Sequence, residues 1–256
     1  VAIFPHDEGE LAVEASAGFV LLGVFKLLVK PFDRVGDAVS AIDEADDDCV
    51  ALRGNGFLVE QGFRLGESGG LAAEGVGFAD TPVSGGPPAA ASGALTVMVG
   101  ADPAVFVRAR PVLETFGKRI EHVGPVGSGH ALKSVNNALL AVNILALAEG
   151  LTALVKAGVP ARKAVEVINA SSGRSFASEV LVPERVLSGT WPKLFRLALL
   201  DKDVGIALGV LEGAGVPGPL LGRVRDLTAQ LHAELGEEAD YLDPIRRSER
   251  RAGVEI

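Results

Sequence analysis

Three short stretches of this 256-residue chain hold groups of the kind that do chemistry. The first is Asp80-Thr-Pro-Val-Ser84-Gly85-Gly86, an apolar run ending in a hydroxyl and two glycines. Lacking Cβ atoms, Gly85 and Gly86 let the backbone approach a ligand closely. Their amides and the Ser84 hydroxyl together suit a carboxylate. A plain glycine-rich turn accounts for the same residues. The second stretch is Gly127-Ser-Gly129-His130-Ala-Leu-Lys133-Ser-Val-Asn136-Asn137. Lys133 and Asn137 are four apart and share a face if the segment is helical. A lysine near an apolar face loses hydration, its pKa falls towards neutrality, and it becomes fit to donate or accept a proton. Asn137 can then orient a substrate hydroxyl. A lysine snorkelling at a helix start gives the same spacing. The third stretch is Phe195-x-Leu197-x-Leu199-x-x-Lys202-Asp203, which alone reads as an amphipathic helix start with an exposed Lys-Asp pair.

The elements that must position these groups change character along the chain. Up to about residue 125, short apolar runs alternate with Gly, Pro and Asp, which predicts alternating strands and helices. Strands are expected at 1–4, 31–34, 49–52, 77–83, 94–99 and 119–123. Helices are expected at 8–29, 35–45 and 102–116, the last with Asp102 as N-cap and Pro103 at its first position. Residues 53–75 contain seven glycines and read mostly as loop. Beyond 127 the pattern is helical: a long helix at 129–157, ended by Gly158 and restarted by Pro160, then helices at 160–170, 198–213, 218–235 and 240–252. The reading is an α/β domain over 1–125 followed by an all-α domain over 126–256.

Composition narrows the function. With 48% hydrophobic residues a sizeable core is available, and Cys49, the single cysteine, excludes an intrachain disulfide framework and a cysteine-based zinc cluster. No metal site is expected. Residues 1–79 hold 14 acidic and 5 basic side chains, whereas 80–256 hold 19 of each. That distribution argues against nucleic acid, whose phosphates call for clustered Lys and Arg, and against an anionic membrane surface. The apolar segment 17–29 follows acids rather than the basic residues of a secretory leader. Ala138–Val155 is interrupted by Asn143 and Glu149 and falls short of the roughly 20 apolar residues of a membrane span. A buried helix and a cytoplasmic protein are therefore expected. Because that segment is apolar all round, something must cover it. A second subunit is expected to supply part of the cover, and sedimentation at micromolar concentration tests this.

Taken together, the stretches resemble the β-hydroxyacid dehydrogenase family, which includes 3-hydroxyisobutyrate dehydrogenase and tartronate semialdehyde reductase. The matching segments are FADTPVSGG (78–86), GALTVMVG (93–100), HVGPVGSGHALKSVNN (122–137), INASSGRS (168–175), FRLALLDKDV (195–204) and AGVEI (252–256). They occur in family order over about 180 residues, and INASSGRS is most similar to the 3-hydroxyisobutyrate branch. The resemblance implies a Rossmann-like domain followed by an all-α domain built on a long central helix. It implies NAD or NADP as cofactor, a small hydroxy-carboxylate substrate, and a homodimer or homotetramer. By position, Ser84 with the Gly85 and Gly86 amides would hold the substrate carboxylate. Lys133 would be the catalytic lysine, Asn137 the substrate-orienting asparagine, and Lys202 the lysine that reaches the cofactor. Hydride would pass between the hydroxyl-bearing carbon and the nicotinamide while the lysine exchanges the hydroxyl proton.

The first third departs from that pattern. Only 79 residues precede Asp80, too few for a complete two-lobed Rossmann sheet. No glycine signature follows the first apolar run, where Asp7, Glu8 and Glu10 would repel a pyrophosphate. Phe32-Asp33-Arg34 resembles the end of the family's second strand, where Asp33 would meet an adenosine ribose and favour NAD over NADP, with Arg34 working the other way. This third is expected to be a shortened or disturbed Rossmann lobe with weak dinucleotide affinity. Two functions follow: an NAD(P)-dependent 3-hydroxyacid dehydrogenase, or a non-catalytic relative that binds carboxylates or partners as an oligomer.

Overall fold

The structure, a computed structural model, describes residues 77–256 throughout and, before them, the backbone of five short strands. The chain divides into two compact units, Val1–Lys133 and Ser134–Ile256.

In the first unit, β1 (Ala2–Pro5) and β2 (Leu11–Glu14) pair antiparallel as a two-stranded sheet of their own. A seven-stranded mixed sheet contains β3 (Leu27–Lys30), β4 (Val50–Arg53), β5 (Phe57–Glu60), β6 (Gly77–Asp80), β7 (Val83–Ser84), β8 (Leu95–Ala101) and β9 (Gly117–Gly124). Its order is β4-β3-β5-β6-β8-β7, with β9 also on β8. The pairs β3/β4, β5/β6 and β8/β9 are parallel, and β6 and β7 both run antiparallel to β8. Strand β8 is the axis of the described part. Nearly all its residues are buried, as expected of a Val-rich run covered on both faces. Helix α1 (Gly86–Ala91) follows β7, and α2 (Pro103–Leu113) packs Ala109 and Leu113 against Ala79, Val97, Val99 and Ala101. Phe106 of α2 stacks on His122 of β9, with centroids 4.7 Å apart, and the His122 Nε2–H donates to the Ala101 carbonyl at 2.7 Å.

Two expectations for the first third need correction. The helix predicted over 8–29 is replaced at both ends by strand, β2 and β3. Gly18 and Gly23 lower helix propensity there, and Leu27-Leu28-Val29 gains partners on two sides, β4 and β5. The strand expected at 31–34 lies outside the described residues, just beyond β3. The glycine-rich stretch read as loop contains β5, whose pairing with β3 and β6 is non-local. The helix expected at 35–45 lies outside the described residues.

The second unit carries most of α3 (Ser128–Lys156), then α4 (Ala161–Asn169), a π-helical segment (Ala177–Val186), α5 (Leu197–Gly213), α6 (Pro219–Leu235) and α7 (Asp243–Ala252). Among the described residues no strand follows β9, as the change in patterning predicts. By length and composition α3 could cross a membrane. Its Ala138, Ala141, Ile144, Leu147, Ala148 and Leu151 instead build the core, together with Leu181, Val182, Leu197, Leu200, Val204 and Ile245. Leu139 and Leu154, on the same helix, remain exposed.

Two carboxylates tie these helices together. Buried Asp240 accepts the Leu194, Phe195 and Leu242 amides at 2.9–3.1 Å, which pins the chain just ahead of α5. Asp201 of α5 accepts from Arg225, Thr228 and His232, three residues on one face of α6, at 2.7, 3.2 and 3.1 Å. Gly205 makes room, since a Cβ there would meet the Arg225 Nε at 3.0 Å. The Asp201 hydrogen bond, helped by Glu237 and opposed by desolvation, raises the His232 pKa above its ordinary 6.5. A raised folded-state pKa gives stability that is fully present below about pH 6.5 and lost as pH rises through the folded value. The difference in Tm between wild type and His232→Gln is therefore expected to shrink as pH is raised from 6 towards 9 (about that range). A difference that is constant or grows with pH contradicts this.

Candidate active site

The hydroxyl-Gly-Gly corner forms as its sequence suggests. Ser84 ends β7, its backbone paired with Thr96 of β8. Gly85 and Gly86 take φ values of 125° and 64°. A Cβ on Gly85 would sit 2.5 Å from the Ala89 Cβ, so only glycine fits this corner. Both glycines are exposed and Ser84 is half-buried.

The second stretch opens α3, and its glycines have a local purpose. The carboxylate of Asp80, at the end of β6, lies against the first turn. Its Oδ1 accepts the Gly127 amide at 2.6 Å, and its Oδ2 accepts the His130 amide at 2.7 Å and the His130 Nδ1–H at 3.1 Å. Gly127 has φ 93°, and a Cβ on Gly129 would stand 2.6 Å from the Asp80 Oδ2. The Gly127 and His130 amides thus hold an internal carboxylate.

Lys133 is half-buried on the second turn of α3. Asn137 follows four residues later, on the same helical face. Asn137 is buried, and both ends of its amide are engaged. The Nδ2 donates to the Asp203 Oδ2 at 2.6 Å, and the Oδ1 accepts the Asn136 Nδ2 at 3.2 Å. Asp203 lies on α5 beside the buried stripe Leu200, Val204 and Ala207. Here the sequence reading needs amendment. Lys202 is exposed as expected, with its Nζ 3.9 Å from the Asp203 Oδ1, but the Asp203 side chain is only 15% exposed. The helical period contained that signal, because position 203 is three past Leu200 and four before Ala207. Asp33 and Arg34 lie outside the described residues. Among the described residues there is no cluster of three or more His, Cys, Asp or Glu side chains able to hold a metal ion.

Two family models match successive parts of the chain. Residues 60–124 match the family model described as the NAD binding domain of 6-phosphogluconate dehydrogenase, and residues 127–247 match that described as NAD-binding of NADP-dependent 3-hydroxyisobutyrate dehydrogenase. The chain is 44% identical over 186 residues to 2-(hydroxymethyl)glutarate dehydrogenase of Eubacterium barkeri, covering 72% of this chain and 62% of that protein. It is 38% identical over 159 residues to the mitochondrial 3-hydroxyisobutyrate dehydrogenase of Drosophila melanogaster, covering 59% of this chain and 48% of that one. The chain thus spans less than two thirds of the length of either relative. The structure of a Mycobacterium tuberculosis 3-hydroxyisobutyrate dehydrogenase with L-serine superposes with a TM-score of 0.71 at 26% identity, covering 86% of this chain and 78% of that one. The fold is accordingly α/β, Rossmann-like in its N-terminal region and mostly helical beyond. The chain belongs to the β-hydroxyacid dehydrogenase family.

Proposed function

We propose that this chain is an NAD(P)-dependent oxidoreductase acting on a small 3-hydroxy acid, with residues 1–125 as the dinucleotide-binding domain and 126–256 as the helical domain. The observation that carries the reading is the pair Lys133 and Asn137, four residues apart on α3, with the Asn137 amide held by Asp203. Neutral Lys133 takes the hydroxyl proton on its Nζ and returns it in the reverse direction. Asn137 orients that hydroxyl. Ser84 and the Gly85 and Gly86 amides receive the carboxylate. A bound nicotinamide would supply the acceptor for the hydride of the hydroxyl-bearing carbon. Exposed Lys202 suits the anionic side of such a cofactor, and Asp33 would meet its adenosine ribose.

The alcohol proton and the carboxylate are served by separate groups, and kinetics can separate them. Ser84→Ala is expected to raise KM for the hydroxy acid by about tenfold while leaving kcat close to wild type, because carboxylate binding is largely the same in ground and transition states. An unchanged KM, or a loss confined to kcat, refutes this assignment.

A second reading rests on one observation. β1 pairs antiparallel with β2, and five residues separate them, too few for the crossover helix of a βαβ unit. A relative with a defective dinucleotide site would act as an oligomeric carboxylate-binding or interaction protein. The homodimer or homotetramer belongs to both readings and rests on the exposed Leu139 and Leu154 of α3, with sedimentation as its check.

A further inference from the structure

We infer that Asp80 is a positioning residue for Lys133: its buried carboxylate is the cap that seats the first turn of α3 on the sheet and so fixes the stem from which the lysine reaches. The inference rests on the reading of Lys133 as the proton-exchanging group.

Asp80 is 2% exposed, and each of its oxygens is used as an acceptor. The first amides of a helix have no partner within it, and an anion placed there gains from both the hydrogen bonds and the helix dipole. Here the anion comes from a strand, so the cap also fastens helix to sheet. The fit around it is tight. A Cβ on Gly100 would lie 2.2 Å from the Asp80 Oδ1, and one on Gly129 would lie 2.5 Å from the Met98 carbonyl oxygen. Two glycines on two elements thus clear the volume that one carboxylate fills.

Lys133 is three residues past His130, less than a turn above the amide that Asp80 holds, or about 4.5 Å along the axis. Asp80 and Ser84 belong to one five-residue segment, and both are registered on β8, Asp80 opposite Gly100 and Ser84 opposite Thr96. One strand therefore sets the place of the carboxylate corner and, through Asp80, that of the lysine stem. Misplacing a reacting group by about 1 Å costs up to about 10²-fold in rate.

The test is Asp80→Asn, which keeps the shape but turns one acceptor oxygen into a donor facing an N–H. Two readouts are taken. The first is the division between kcat and KM for a 3-hydroxy acid. The second, independent of turnover, is the rate at which an amine-acylating reagent labels Lys133, measured by mass spectrometry with Lys156 and Lys193 as references in the same sample. A fall in kcat of about 10- to 100-fold with little change in KM is expected, together with a several-fold change in labelling at Lys133 alone. Wild-type kcat and wild-type labelling at Lys133 overturn the inference. So does a labelling change of equal size at all three lysines, which marks general loosening. If the wild-type chain turns over no hydroxy acid, the proposed function fails while the labelling ratio still decides the role of Asp80. If Asp80→Asn does not fold, His130→Ala removes one of the three bonds, and a smaller change confined to Lys133 is expected, its absence counting against the inference.

Discussion

Replacing Lys133 with alanine is expected to lower kcat by about 10²–10⁴-fold, the usual contribution of a general acid or base. Hydride cannot leave an alcohol carbon readily while the hydroxyl keeps its proton, so the group that takes the proton controls the rate. Lys133 is placed for this on the second turn of α3, half-buried. Binding should survive, because the carboxylate is assigned to the Ser84 corner. Lys133→Arg should not rescue the rate, since a guanidinium stays protonated. Steady-state kinetics over a range of pH provide the check. A Lys133→Ala variant retaining more than about a tenth of wild-type kcat excludes it as the acid/base group.

The second large effect is expected at Asp203. Its Oδ2 accepts the Asn137 Nδ2–H at 2.6 Å, and Asn137 is buried. Asp203→Ala leaves that donor without its partner, at a cost of about 1–3 kcal/mol, and frees the amide to turn. If Asn137 orients the substrate hydroxyl, kcat/KM should fall by about 10- to 100-fold. Asp203→Asn still offers an acceptor oxygen and should recover much of the loss, which a purely electrostatic role would not permit. The check is kcat/KM for the two variants side by side. Wild-type kcat/KM in Asp203→Ala means that Asn137 is not held in place by this bond.

The helical unit was open to reading from residue types because its signals are local. Gly158 and Pro160 punctuate the end of α3 and the start of α4. The apolar spacing of α5, with Leu197, Leu200, Val204 and Ala207 buried, gives one face directly. The π-helical segment escaped notice, since Pro183 interrupts the ordinary helical pattern and the wider turn is held by tertiary burial of Ala177, Leu181, Val182 and Val186. Asp102 does occupy the N-cap position of α2, but its side chain makes no capping bond. Strand β5 was hidden because its partners lie about 30 residues before it and 20 after it. In the site, Ser84, the two glycines and the Lys133–Asn137 spacing were visible as residue types. The duties of Asp80 and Asp203 were not, because each bonds to a residue 47 to 66 positions away.

The central claim is that this chain couples oxidation of a small 3-hydroxy acid to reduction of a nicotinamide. The most direct measurement mixes the chain, at high cofactor concentration, with NAD⁺ or NADP⁺ and 3-hydroxyisobutyrate or a related 3-hydroxy acid. The absorbance of the reduced nicotinamide is then followed, with cofactor binding measured by calorimetry. The account predicts reduced nicotinamide in proportion to the acid consumed, with NAD⁺ preferred, and a rate at least about 100-fold lower from Lys133→Ala. No heat of binding with either cofactor, and no reduced nicotinamide from any of the acids, would contradict it.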